Sequence, residues 1–430
     1  MKSNTARDEQ NSKIRFITDD MMIVGVDVGS VNHYARAFTN RGIELSRKAY
    51  HFTNSSDGFE AFKAWAAGIA KQNGMKFILV GMEPTGHYWI NLGKYVTDNG
   101  MILAQVNPAA VHKSKELDDN NPSKNDMKDP KVIAGLVKDG RYTMPYMPEG
   151  LYAEIRELSN QRARVVEEMT RVKNRLSRWF AIYFPEYLKT YKDIRNISGS
   201  LILEEYSLPA DIVKIGVDGI LEIWRSHKLR GAGRRRAEKL YNAAKISIGR
   251  TEAADAARME IHDLLEDLKT CEDRLARIME EVDKKLWEVP NAKELLKIDG
   301  VGVVSVLTFV AETGDISRIK DAKALQKLAG FAIVADSSGK HNGASRISYR
   351  GRKRLRYAMY NLAISLICNN DEFKAIHQYY TTREQNPLKK MQSVIAVACK
   401  AMRVFYKIMT SGIAYDGQKM MTDIIRPEAA

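Results

Sequence analysis

The stretch MIVGVDVGSVNHYARAF, residues 22–38, decides the fold. Its first half, Met22-Ile23-Val24-Gly25-Val26, is an unbroken apolar run of strand length, and such a run reads as a buried strand. Asp27 closes the run, Gly29-Ser30 supplies a small-residue turn, and a second strand-like segment follows. Burying a carboxylate without a partner is costly, so something cationic should meet Asp27 there.

Outward from this stretch the chain alternates short β-branched runs with helical ones. MIVGVDVG, YARAFT, ELSRKAYHF, KFILVGME and ILAQVN read as strands, while DGFEAFKAWAAGIAKQ and GHYWINLGKYVTDNG read as helices. The pattern predicts an α/β domain over residues 21–148, a hairpin-rich start followed by βαβ crossovers. Residues 1–20 are polar and read as a flexible tail.

Three further acids keep the company Asp27 asks for. Glu83 ends the strand-like run KFILVGME and is followed by Pro84, Gly86 and a helix. Asp126 and Asp129 stand three apart in KNDMKDPKVIA, a spacing that shares one helical face if both lie in one turn. Taken singly, each acid has a plainer reading as a turn cap or a solvated loop acid. Together, in the order strand, strand, helix, four carboxylates crowd tolerably only around cations, and hard divalent ions such as Mg²⁺ or Mn²⁺ match oxygen ligands. Two such ions polarise a phosphodiester.

The remaining chain is largely helical. Residues 149–289 begin with a long charged helix to Pro185 and end in a second over residues 251–288, with a basic insertion over 186–250 containing Arg234-Arg235-Arg236. The second helix steps through Ile261, Leu264, Leu268, Cys271, Leu275, Ile278, Val282 and Leu286, close to a heptad seam. That seam admits a helix packed within its own subunit, or an antiparallel or intersubunit coiled coil. Residues 290–415 form a third region and 416–430 a tail.

A net charge of +14 on 430 residues calls for phosphate-rich partners, with an anionic membrane surface as the second choice. The longest apolar stretch, VGVVSVLTFVA, is too short to span a bilayer. The polar N-terminus carries no export signal, and the three separated cysteines suit reduced thiols, so a cytoplasmic location is expected.

The third region adds two constellations. In IDGVGVVSVLTFVAE, Gly300 and Gly302 make a tight turn ahead of an apolar helix, a helix-hairpin-helix pattern that leaves N–H groups able to approach a phosphate, or else a plain interhelical turn. In ADSSGKHNGASRISYRGRKRLR, Ser337 and Ser338 precede Gly339 and Lys340, and Arg346, Arg350, Arg352 and Arg354 follow. Guanidinium forks match phosphate oxygens. Ser-Ser-Gly by itself is an ordinary turn, and a serine among arginines is also a nucleophile for a phosphodiester. Composition does not decide between them. No Walker-type loop and no Cys/His metal cluster is present.

The order GVDVGS, GMEPTGHYW, VNPAAVHK and KNDMKDPKVIA, with IDGVGVVSVLTFVAETGDISR, ALQKLAGF, DSSG and GASRISYRGRKRLRYAMY behind it, resembles the DEDD transposases of bacterial insertion sequences, bridge-RNA-guided recombinases related to the Piv/MooV DNA invertases. The resemblance covers roughly residues 22–145 and 290–415. It implies an RNase H-like (RuvC-like) first domain, a long coiled-coil linker, and a mostly helical transposase domain with a nucleophilic serine before glycine. Carried over by position, the metal ligands and catalytic acids are Asp27, Glu83, Asp126 and Asp129, and the nucleophile is Ser338. It also implies donor and target DNA, a structured noncoding guide RNA, and a homo-oligomer, a dimer or a tetramer on DNA, in which one subunit's acids meet another's serine. Pro130 departs from the family pattern, and the segment 186–250 resembles an extension of longer members.

The mechanism expected is RNA-guided cutting and rejoining of DNA through a serine–DNA ester with divalent-metal assistance. Gly300, Gly302, Lys340, Arg346, Arg350, Arg352, Arg354 and Arg234–Arg236 are the expected nucleic-acid contacts. The rivals are a metal-only nuclease of the junction-resolvase type, a sugar-kinase-like ATPase, which lacks its phosphate and adenosine loops here, and a noncatalytic RNA-binding scaffold.

Overall fold

The computed structural model describes residues 2–84, 86–119, 128–193, 196–334, 337–338, 341–342 and 346–422, with the backbone alone at 2–6, 115–119, 337–338 and 341–342. The chain divides into two units, residues 1–147 and 148–430.

The first unit runs α1 (Lys2–Phe16), β1 (Met21–Val28), β2 (Asn32–Phe38), β3 (Tyr50–Thr53), α2 (Ser56–Gln72), β4 (Phe77–Met82), α3 (Trp89–Asp98), β5 (Ile102–Val106), α4 (Pro108–Asp119), α5 (Asp129–Lys138) and β6 (Tyr142–Thr143). Its sheet has the order β3-β2-β1-β4-β5-β6. Strands β1, β2 and β3 pair antiparallel, β4 joins β1 and β5 joins β4 in parallel, and β6 closes the edge antiparallel. The alternation expected from the sequence is therefore present, and β1 lies at the centre. Met22, Val24 and Val26 pack into the layer that includes Phe59 and Phe62 of α2 and Leu92 of α3. Ile23 faces the opposite layer, built from Val132, Ile133 and Val137 of α5.

Helix α5 reaches the sheet because two glycines pair beneath it. Gly25 of β1 is in register with Gly81 of β4. A Cβ at position 25 would run into the carbonyl oxygen of Pro130, and one at position 81 would sit 2.5 Å from Val137 Cγ2. Glycine is used at both positions for close approach rather than for an unusual backbone angle.

The N-terminal residues correct the expectation of a tail. They form α1, and its last turns dock on this unit: Gln10 Nε2 donates to the Asp139 carbonyl at 2.9 Å, and Tyr142 Oη donates to the Lys13 carbonyl at 3.1 Å. A largely polar segment is held by its few apolar residues, with Ile14 against Gly140 and Ile17 buried just beyond the helix.

The second unit opens with α6 (Gly150–Tyr183), then α7 (Tyr187–Thr190), α8 (Ile197–Glu205), α9 (Pro209–Ser226, broken at Gly216), α10 (Arg234–Lys245) and α11 (Ala254–Leu286). It continues with α12 (Ala292–Leu296), α13 (Val303–Thr313), a 3₁₀ turn (Ile316–Arg318), α14 (Ala322–Ala329), the two-residue strands β7 (Ile333–Val334), β8 (Ser337–Ser338), β9 (His341–Asn342) and β10 (Arg346–Ile347), and then α15 (Lys353–Asn369), α16 (Asp371–Thr382), α17 (Lys390–Ser411) and α18 (Gly417–Met421).

Helices α6 and α11 are antiparallel partners. Trp179 Nε1 donates to the Ala257 carbonyl at 2.9 Å at one end, while Lys285 meets Glu154 at 3.6 Å at the other. Arg178–Glu260, Arg175–Asp267 and Arg274–Glu168 fall between them in reverse order. The heptad-like seam is thus satisfied within one chain. These solvated ion pairs contribute little; the seam residues Val172, Leu176, Ile261, Leu264 and Leu268 do most of the stabilising.

The basic insertion, α7 to α10, packs around Trp179, Phe180, Tyr187 and Trp224 at the far end of this pair. Helices α12 to α18 build a separate core around Phe309, Met359 and Phe405. The expected tail from 416 is corrected in part: Asp416 caps the amide of Lys419 at 3.0 Å, and Met420 is buried. Among the described residues no helix is long and apolar enough to cross a membrane.

Candidate active site

Asp27 and Glu83 hold matching places in the sheet. Successive strand residues face opposite sides, so Asp27 shares the face of Ile23 and Gly25, the side α5 covers. The last registered pair of the parallel strands is Val26 with Met82. Asp27 follows in β1, and Glu83 is the first residue past the end of β4. Both acids are half-buried.

Asp129 arrives from the third element. It is the first residue of α5 and is 9% exposed. Pro130 follows it in the opening turn, where its missing N–H has no helical partner to lose, so the departure noted in the sequence starts the helix at Asp129. The Pro130 carbonyl abuts Gly25, two residues before Asp27 on the same strand face.

The donor chemistry, all carboxylate, suits a hard divalent cation. Among the described residues, however, no three His, Cys, Asp or Glu side chains gather closely enough to hold an ion. Asp27, Glu83 and Asp129 are carried by neighbouring elements without closing a cage, and Asp126 lies outside the described residues.

In the second unit the two glycines do different work. Gly300 takes φ 87°, and its carbonyl accepts the Ser365 hydroxyl at 2.8 Å, pinning the turn to α15. Gly302 is the exposed N-cap of α13, with no capping side chain and open space around its Cα.

The arginines sort into two sets. Arg346 on β10 and Arg350 just beyond it are exposed. Arg352 instead turns to Glu312 at 3.3 Å. Arg354 meets Glu312 at 3.7 Å, donates to both the carbonyl and the hydroxyl of Ser159 at 2.9 Å, and bonds Asn160 Oδ1. The expectation that all four face phosphate therefore meets a competing structural use for two of them. Glu312, only 12% exposed at its side chain, was the missed residue. Its signal was a lone acid closing the apolar run VVSVLTFVAE. Beside this network Arg162 is half-buried; burial first, and then the charge of Arg354, hold its guanidinium below its ordinary value.

Ser338 stands in β8, its backbone paired with His341 of β9, and its side chain lies outside the described set, as does Lys340. At the start of α10, Arg234 bonds Asp218 at 3.1 Å and Glu238 at 3.2 Å, Arg236 reaches Ser198 Oγ at 3.5 Å, and Arg235 is exposed.

Comparison with known proteins adds to this geometry. Residues 24–185 match the family profile of DEDD IS110 transposases, and residues 292–379 match the profile described as transposase IS116/IS110/IS902 family. The chain is similar to an uncharacterized protein of insertion element IS116 from Streptomyces clavuligerus, 26% identical over 288 residues, which cover 66% of this chain and 71% of that one. It is also similar to an uncharacterized protein of insertion element IS900 from Mycobacterium paratuberculosis, 22% identical over 68% of this chain and 73% of the other. A pilin gene-inverting protein of Moraxella bovis is 26% identical over 145 residues, 32% of this chain and 44% of that one.

Proposed function

Since the chain is a transposase of the IS110/IS116 family, a DNA transposase or recombinase, we propose that it cuts and rejoins DNA through a covalent bond between Ser338 and a DNA phosphate. What supports the reading is the placement of Asp27 near the end of β1, Glu83 just past the end of its parallel neighbour β4, and Asp129 at the start of α5, the helix that covers this side of the sheet. The strand order 3-2-1-4-5 beneath them supports an RNase H-like domain.

Asp27, Glu83, Asp126 and Asp129 would hold a divalent cation, Mg²⁺ or Mn²⁺, which when bound neutralises phosphate charge and polarises the P–O bond. The Ser338 hydroxyl attacks phosphorus. Its Oγ–P bond forms as the bond from phosphorus to one deoxyribose oxygen breaks, and the serine proton ends on that oxygen as a free hydroxyl. Attack by a hydroxyl of the incoming strand reverses the exchange and rejoins DNA. The ester conserves the bond, so the reaction needs no nucleotide, in accord with the absence of a Walker loop.

A structured guide RNA pairing with donor and target DNA would supply sequence choice. A homo-oligomer working on DNA in a bacterial cytoplasm completes the reading. Arg346 and Arg350, exposed near the serine strand in sequence, and the open N-cap at Gly302 supply phosphate contacts. Substituting the acids tests it: Asp27→Asn, Glu83→Gln and Asp129→Asn should each bind DNA yet fail to join strands. Joining at the unmodified rate by Asp27→Asn would defeat the proposal.

A further inference from the structure

We propose that the insertion between α6 and α11 is a DNA-holding arm, whose α9–α10 loop and α10 grip the phosphate backbone of duplex DNA. The inference rests on the DNA activity of the family and not on the identity of the nucleophile.

The charge is concentrated. Residues 225–250 carry nine Lys and Arg against one acid, Glu238, so eight of the net fourteen positive charges sit in this short segment. All nine are exposed. Arg234, Arg236 and Arg250 have polar partners in Asp218, Ser198 and Glu252. Arg225, Lys228, Arg230, Arg235, Lys239 and Lys245 have none among the described residues. Six like charges within one short segment repel, and an anionic polymer offsets that repulsion.

The scaffold beneath is built to hold them. Ala237, Leu240, Ala243 and Ala244 are buried along one side of α10, which leaves Arg235 and Lys239 on the outer side, one turn apart. Below lies the aromatic core, in which the buried Trp224 indole donates to the Ser198 carbonyl at 2.7 Å. At about 1.5 Å per residue the twelve residues of α10 extend for about 18 Å, roughly half a turn of duplex.

The chemistry selects backbone over bases. Residues 225–250 contain no Phe or Trp, and their one tyrosine, Tyr241, is half-buried, so there is no platform on which an unpaired base would stack. Charge without stacking fits a paired helix read through its phosphates.

The test is the salt dependence of binding by the full chain to a DNA duplex of arbitrary sequence, between about 50 and 200 mM salt. The variant carries Lys228→Gln, Arg230→Gln, Arg235→Gln and Lys239→Gln. Each lost phosphate contact lowers the slope of log affinity against log salt by about 0.9, so loss of four contacts should lower it by about 3.6, with affinity down at least tenfold whatever the sequence. A charge-keeping version, Arg230→Lys with Arg235→Lys, should keep the parent slope, which separates lost charge from lost fold. An unchanged slope in the neutralised variant overturns the proposal. So does a loss seen only with a structured RNA hairpin, which would make the face an RNA seat. Failure of Ser338 as nucleophile would appear in strand joining and leave these slopes untouched.

Discussion

Gly25 of β1 lies directly beneath the carbonyl of Pro130 in α5, so closely that any Cβ at position 25 would collide with that oxygen. The contact sets where the helix begins over the sheet and hence where Asp129 stands relative to Asp27. Gly25→Ala should therefore act twice. Overpacking of this kind costs about 1–3 kcal/mol, read as a lowered melting temperature, and the forced lift of α5 should reduce strand joining beyond what the lost stability explains. Parent-like melting would show that the sheet yields at this point.

His33 offers a pH test one strand away. It is wholly buried in β2 beside Phe52 and Phe59, and burial holds its imidazole below the ordinary value of 6.5, with Asn54 opposing more weakly. A depressed folded-state value means that the unfolded chain takes up the proton first. The contribution is complete above pH 6.5 and is lost as pH falls through the folded-state value. Hydrogen exchange of the β1–β2 amides should thus show protection weakening between pH 7 and pH 5, and His33→Leu should show less of that weakening. Equal pH dependence in both would assign the effect to other groups.

The two sets of arginines make opposite expectations. Arg354→Ala strips hydrogen bonds from Ser159 and Asn160 and removes one of the two ion-pair partners of the mostly covered Glu312 carboxylate. Charged hydrogen bonds of this kind are worth about 1.5–3 kcal/mol, so thermal stability of the second unit should drop. Arg350→Ala, on an exposed side chain, should leave melting unchanged and weaken DNA binding. Equal melting of the two variants would contradict the division.

Much of this was legible from residue pattern. The buried apolar run ending in Asp27, the matching run ending in Glu83 and the basic insertion all announce themselves locally, because strand burial and charge density are properties of short windows. The role of Gly25 was not, since it depends on a helix that begins more than a hundred residues later. The same is true of Arg354, whose partners at Ser159 and Asn160 are distant in sequence. The N-terminal helix was missed because its docking rests on a few contacts, such as Gln10 with Asp139 and Ile17 in the core, that polarity averages conceal. The heptad seam of α11 left its partner open, and the reversed order of ion pairs along α6 supplies it.

The central claim is that a serine oxygen carries the DNA between cutting and joining. The direct measurement is to quench the protein on a DNA substrate with Mg²⁺ in denaturant, digest the complex, and locate the nucleotide-bearing peptide by mass spectrometry. The account predicts a phosphodiester on Ser338, absent in Ser338→Ala and absent in Asp27→Asn. Cut DNA without any protein attached, or an adduct that persists in Ser338→Ala, would contradict it.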